Sequence, residues 1–219
     1  GAQFRRYLTL CSVWHEIQNL LVSAGVQCRL FKGIWLAQTL YPWPEIRASR
    51  DIDVIIRADG IALAREILRQ NGWSCDEQLY IHDTFRKDGV TLELHTHLVG
   101  RGESVLSGIN ERDARRFLEG QFSHAEEYGL LAFKTFTEKD VIGYKLLDLY
   151  LYKKLNDIPA SCMSEICSRW DIRYPIAVIE SMLSSRAENS RSTALGGSFL
   201  SSLWRNRRAV ERLLPTLGS

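Results

Sequence analysis

The sequence predicts an α+β protein: a small mixed β-sheet flanked by helices, followed by a helical C-terminal domain. Three observations carry this. Apolar or alternating segments at 27–32, 51–57 and 73–98 have strand character. Helix-period segments at 3–24, 34–40 and 60–70 interleave with them. From residue 137 onward strand signals stop and helical patterning continues, which places a boundary near residue 130. Residues 1–130 are expected to form the α/β core with its N-terminal helix, and 131–219 the helical domain.

The first helix spans 3–24, with Phe4, Leu8, Cys11, Leu20 and Leu21 near a 3.6-residue period and Gly25 as its stop. A short strand from Gln27 to Lys32 ends at Gly33, and Ile34 to Leu40 supplies one or two helical turns. Tyr41-Pro42-Trp43-Pro44 must be loop, because two prolines remove helix hydrogen bonds. Asp51 to Arg57 reads as a buried strand, and Asp59 and Gly72 as the cap and stop of a helix over 60–70. Asp88-Gly89 marks a hairpin turn. The strand after it alternates: Val90, Leu92, Leu94 and Thr96 on one face, Thr91, Glu93, His95 and His97 on the other. Thr137 with Asp140 reads as a capping box for a helix over 141–155. Helices are expected near 162–184 and 198–213, with a Ser/Gly/Arg-rich linker between them.

Composition excludes several function classes. Charged residues make up 25% and hydrophobic ones 45% of 219 residues, which is a globular balance rather than a disordered one. The apolar runs are too short to span a bilayer, so no membrane partner is expected. Five cysteines without a CxxC pair fit free thiols in a reducing cytoplasm. The net charge of +2 does not announce a nucleic-acid binder. The C-terminal Arg205, Arg207 and Arg208 beside Trp204 nevertheless offer a basic face for nucleic-acid contact.

The sharpest chemical feature is Asp51-Ile52-Asp53. On a strand these two carboxylates project from the same face, where they repel one another unless a cation lies between them. Glu93, on the polar face of a second strand, is placed to add a third carboxylate. Gly33 follows a strand and opens a helix, the geometry in which backbone N–H groups cradle phosphate. Lys32, Arg47 and Arg50 are cations placed to offset polyphosphate charge. His95 is expected beside the acids. Together these residues point to metal-assisted transfer on a nucleotide.

The order Leu30-Phe31-Lys32-Gly33, Tyr41-Pro42, Arg47, Asp51-Ile52-Asp53-Val54, Asn71-Gly72-Trp73 and Leu92-Glu93-Leu94-His95 resembles the nucleotidyltransferase superfamily of the polymerase-beta type. Within it, the pattern is similar to an uncharacterised bacterial branch with a "KG…R…DiD…ElH" signature, over residues 28–98. Many superfamily members carry Gly-Gly or Gly-Ser where this chain has Gly33-Ile34. Asp140 and Lys145, with Asn156-Asp157, resemble a region of abortive-infection and toxin-type nucleotidyltransferases in which the lysine approaches the nucleotide phosphates.

The resemblance implies that Asp51, Asp53 and Glu93 hold two Mg2+ ions, or Mn2+, and that Lys32, Gly33, Arg47, Arg50 and Lys145 bind the nucleoside triphosphate. It implies attack on the α-phosphorus by an acceptor hydroxyl or amine of a small molecule, a protein or peptide, or an RNA end, with release of pyrophosphate. Two rival readings of the same residues are a metal-dependent phosphoester hydrolase using Asp51, Asp53, His95 and His97, and a catalytically inactive module that binds a nucleotide or a partner.

Overall fold

The computed structural model describes residues 1–137 and 143–192. Helix α1 (Ala2–Ser23) leads into β1 (Cys28–Leu30), α2 (Gly33–Leu40), β2 (Asp51–Ile56) and α3 (Ile61–Gln70). Strands β3 (Ser74–Gln78), β4 (His82–Lys87) and β5 (Val90–His95) follow. The chain then turns helical through α4 (Arg101–Ser107), α5 (Glu111–Leu118), α6 (His124–Thr137), α7 (Gly143–Leu155), α8 (Ala160–Arg169) and α9 (Arg173–Ser192).

The five strands form one mixed sheet in the order β1-β2-β5-β4-β3. Only β2 and β5 run parallel, with Asp53 opposite Glu93 and Ile55 opposite His95. The β4–β5 hairpin closes at Asp88 (φ 49°) and Gly89 (φ 74°), the left-handed pair that a tight two-residue turn demands. Alternation on the two central strands sends Ile52, Val54, Ile56, Leu92 and Leu94 to one face, where they pack with Leu10, Trp14, Ile17 and Leu21 of α1 and Ala64 and Leu68 of α3. Burying each of these larger side chains contributes roughly 1.5–3 kcal/mol. The opposite face carries Asp51, Asp53, Glu93 and His95 and looks toward the helical half of the chain.

Several expectations change. The apolar stripe of α1 is Leu10, Trp14, Ile17 and Leu21, whereas Phe4 and Leu8 are 46% and 48% exposed. Both sets approximate a helical period, and contact with the sheet selects between them. Asp59 does not cap α3: it pairs with Arg57 in a short 3-10 turn, and Gly60 is the residue before the helix. The helix expected over 162–184 is divided into α8 and α9 by a turn at Asp171, whose φ of 53° breaks the helical path. Thr137 ends α6 instead of starting a helix, and Asp140 lies outside the described residues, as do the helix expected at 198–213 and the arginines around Trp204.

Residue 130 falls in the middle of α6. One hydrophobic cluster joins Phe31, Leu36 and Ile55 to Tyr128, Leu131 and Phe133 of α6, Leu146 and Leu149 of α7, and Trp170, Ile176 and Ile179 beyond it. The sheet and the helices share this core across the expected boundary.

The start of α6 is fixed by charge. The Ser123 backbone N–H and hydroxyl both donate to the Glu126 carboxylate, at 2.8 and 3.0 Å, and the Glu126 N–H donates to the Ser123 hydroxyl. Arg116 and Arg169 pair with the same carboxylate, which is 3% exposed. Burial opposes its ionisation, yet Arg116, the Ser123 amide and Arg169 hold the Glu126 carboxyl down at about 2. A carboxylate depressed in this way stabilises the fold fully above its unfolded value near 4.5, and that contribution disappears as pH falls toward 2. Glu126→Gln is therefore expected to cost roughly 2–3 kcal/mol at neutral pH. In denaturant titrations at stepped pH, the gap to wild type should close below pH 4.5; a gap that persists unchanged into acid would contradict this account.

Candidate active site

Strand β2 presents Asp51 and Asp53 from the sheet face opposite α1 and α3, and the parallel register brings Glu93 of β5 directly beside Asp53. Asp53 is 7% exposed. The His95 ring lies two residues beyond Glu93, with Nε2 3.1 Å from Asp53 Oδ1 and 3.4 Å from Glu93 Oε2. Facing two carboxylates, this nitrogen carries the proton and donates to Asp53.

The three acids sit in unequal fields. Burial, together with the Asp53 and Glu93 carboxylates, pushes Asp51 up to about 6 against the pull of Lys32. Burial also acts on Asp53, but the Lys32 ammonium, the His95 hydrogen bond and the Arg47 guanidinium hold it below the ordinary range. Glu93 is held low by the His95 hydrogen bond. Three carboxylates thus crowd one surface, and burial with two acidic neighbours makes Asp51 the hardest of them to ionise. A divalent cation with oxygen ligands is the species such a donor set accommodates.

The entrance to α2 borders these acids. The Phe31 N–H donates to the Asp53 carbonyl at 2.9 Å, so the end of β1 is tied to the middle of β2. Lys32 then adopts φ 56° and ψ −132°, a conformation costly for a residue with a side chain, and Gly33 begins the helix. A Cβ on Gly33 would stand 2.8 Å from Ser49 Oγ and 3.2 Å from Asp53 Oδ2. The first amides of α2 have no partner within the helix, and such a helix start beside the aspartates can receive an anion. Gly33→Ala is expected to weaken magnesium–nucleotide binding at least about tenfold while costing only about 1–2 kcal/mol of stability, the scale of a tight overpacking. Calorimetry paired with thermal melts checks the two figures separately, and an alanine variant that binds nucleotide like wild type would remove the phosphate role of this turn.

The predicted cations have different surroundings. Lys32 lies over the Phe31 ring at 4.9 Å and contributes directly to the field at Asp53. Arg47 is engaged elsewhere: its Nε and Nη2 donate to the Asp148 carboxylate at 2.8–3.0 Å, and its Nη1 donates to the Gly33 carbonyl at 3.0 Å. The Tyr41 hydroxyl donates to the same Asp148 at 2.7 Å. Arg47 therefore straps the start of α2 to α7, which leaves less of its guanidinium for phosphate than the sequence suggested. Arg50 is exposed at the start of β2, where its carbonyl accepts from Arg6. Lys145 lies on α7 three residues before Asp148, on the same side of that helix. Asp157 lies beyond the C-terminus of α7, some three helical turns from Lys145, so Asp148 is the acid of this helix that reaches the sheet.

His97 is not brought to the acids. Strand β5 ends at His95, and the His97 ring stacks on Tyr80 at 4.6 Å with Glu111 3.8 Å away. The hydrolase arrangement loses one of its four ligands. Sequence reasoning missed Asp148 and Ser49. A lone acid on an otherwise apolar helix side, beside Leu149 and Tyr152, was the available signal for Asp148; nothing local marks Ser49.

Paired aspartates on one strand, a third acid on its parallel neighbour and a glycine-opened helix beside them make up the candidate site. The chain belongs to a family of uncharacterised nucleotidyltransferases, whose model matches residues 2–178. Its fold is similar to the solution structure of the antibiotic-resistance factor ANT(2'')-Ia, with a TM-score of 0.51 at 12% identity, covering 85% of this chain and 99% of that one. No curated protein matches the sequence. Among the described residues no helix is long and apolar enough to cross a membrane. The family and the fold support nucleotidyl transfer as the general activity.

Proposed function

We propose that this chain is a Mg2+-dependent nucleotidyltransferase that moves a nucleoside monophosphate from a nucleoside triphosphate to an acceptor hydroxyl or amine. The observation that carries this is the convergence of Asp51, Asp53 and Glu93 beside the glycine-opened start of α2. The three carboxylates would hold Mg2+, or Mn2+, which supplies neutralisation of triphosphate charge and orientation of the reacting groups. The α2 amides and Lys32 bind phosphate oxygens, with Arg50 and Lys145 as further cations toward them; Arg47 acts through its hold on Gly33. A new bond forms between the acceptor atom and the α-phosphorus, the bond to the bridging oxygen breaks, and pyrophosphate leaves.

The acceptor proton goes to Glu93. Its side chain is 27% exposed while that of Asp53 is 9%, and Glu93 is held low and ionised where Asp51 is pushed up to about 6, which supports Glu93 as the base. Buried His95 keeps the Asp53 carboxylate oriented. Catalysis here is positioning and charge compensation. The acceptor is a small molecule, a protein or peptide side chain, or an RNA end. Five free cysteines support a cytoplasmic setting for the reaction.

Calorimetric titration with ATP, GTP, CTP and UTP, each with and without Mg2+, tests the proposal. Magnesium-dependent binding of a triphosphate, absent in Asp51→Asn/Asp53→Asn, is the expected result and names the donor. Wild-type protein that binds none of the four would overturn it.

A further inference from the structure

We propose that His82, Glu93 and His95 form a second metal position beside the aspartates, suited to a transition-metal ion such as Zn2+, whose occupancy acts as a brake on nucleotide binding. The site itself rests on these three side chains alone; the brake rests also on the function proposed above.

His82 of β4 lies directly opposite His95 of β5 in the antiparallel ladder, and Glu93 precedes His95 by two residues on the same strand face. The imidazole centroids are 5.0 Å apart, and one ligand atom from each of the three residues lies within 4.8 Å of the others. Ligands on a tetrahedral zinc ion stand about 3.4 Å apart, since each bond is near 2 Å. The three ligand atoms would therefore close by about 1.4 Å to hold the ion.

A second observation points the same way. His95 Nε2 donates to Asp53, which leaves Nδ1 as the second ring nitrogen. That nitrogen is buried and has no hydrogen-bond partner among the described residues, on a side chain only 3% exposed. A buried ring nitrogen left unmet is uncommon. An imidazole that donates one nitrogen to a carboxylate and keeps the other for a metal is the usual construction of histidine metal sites. The His82 imidazole facing it is half-buried.

Two imidazoles and one carboxylate favour zinc and its neighbours, whereas Mg2+ prefers oxygen alone and remains with Asp51 and Asp53. Glu93 belongs to both groups. Zinc at the histidines would draw this carboxylate away from the nucleotide side, so zinc and Mg2+–nucleotide binding should oppose one another reciprocally.

The test is calorimetric titration of Zn2+ into the metal-free full chain under reducing conditions, with the His82→Ala and His82→Gln variants alongside. One zinc equivalent is expected in wild type, weakened at least tenfold in both variants, while Asp51→Asn binds zinc as wild type does. Thermal melts confirm that the variants are folded, and two replacements at a half-exposed strand position guard against the loss of one. Zinc binding of equal strength in wild type and both His82 variants places the ion elsewhere and overturns the site, as does wild type that takes up none. For the brake, Mg2+–nucleotide affinity should fall at least tenfold with one equivalent of zinc in wild type, and stay unchanged in His82→Ala. Bound zinc with no effect on that affinity overturns the brake. Zinc titration is decisive even if no nucleotide binds, so failure of the site and failure of the proposed function are separable.

Discussion

Asp53→Asn is expected to lower nucleotidyl transfer by at least about a thousandfold, equivalent to roughly 4 kcal/mol of transition-state stabilisation, with the fold intact. The reason is the position of this carboxylate. It lies at the centre of β2, paired with Glu93, hydrogen-bonded to His95 and near the open end of α2. Held ionised by Lys32, His95 and Arg47, it is the fixed negative charge around which the other groups are arranged. The amide keeps shape and packing but loses that charge. Stability should move little, because the weaker bond to His95 is offset by relief of repulsion with Asp51 and Glu93. Pyrophosphate release with the donor found by calorimetry, read beside a thermal melt, separates the two effects. A variant that releases pyrophosphate within tenfold of the wild-type rate would remove Asp53 from the chemistry.

The parts of this site that were legible in the sequence are those fixed by local rules. Strand alternation places Asp51 with Asp53 and Glu93 with His95 on shared faces whatever the tertiary structure, and Asp88-Gly89 can close only a tight hairpin. The strand-glycine-helix order marks the α2 entrance in the same way. What escaped depends on distant contacts. Which stripe of α1 is buried is decided by the sheet, not by periodicity, since two stripes of similar quality compete. His97 continues the alternation of β5 on paper, but strand pairing stops at His95 and the ring turns to Tyr80. The entry to α6 is also a local signal, for Ser123-His124-Ala125-Glu126 is a capping box. Arg47 was identified as a site cation from its spacing alone, and the acid that engages it lies 101 residues away in another element. No local pattern carries that information.

That long-range pair supports the second large effect: Asp148→Ala is expected to cost about 3–5 kcal/mol of stability. The Arg47 and Asp148 side chains are 11% and 4% exposed, and the pair is bound through two guanidinium nitrogens. Removing the carboxylate leaves a buried cation with the Gly33 carbonyl as its remaining acceptor, and strips the Tyr41 hydroxyl of its partner. For a chain of this length the loss corresponds to a fall in melting temperature of roughly 10 °C. Arg47→Met with Asp148→Leu should recover much of it, because neither charge is then stranded, and the double-mutant cycle should show a coupling above about 2 kcal/mol. Activity separates bracing from mere stability. The same guanidinium holds the carbonyl of Gly33, so the stable double variant should still bind nucleotide more weakly, with KM raised more than kcat is lowered. If the double variant regains both stability and wild-type KM, the strap is a fold element alone and the start of α2 keeps its shape without it. If Asp148→Ala melts within 2 °C of wild type, water reaches the Arg47 guanidinium readily and the pair is not buried in solution.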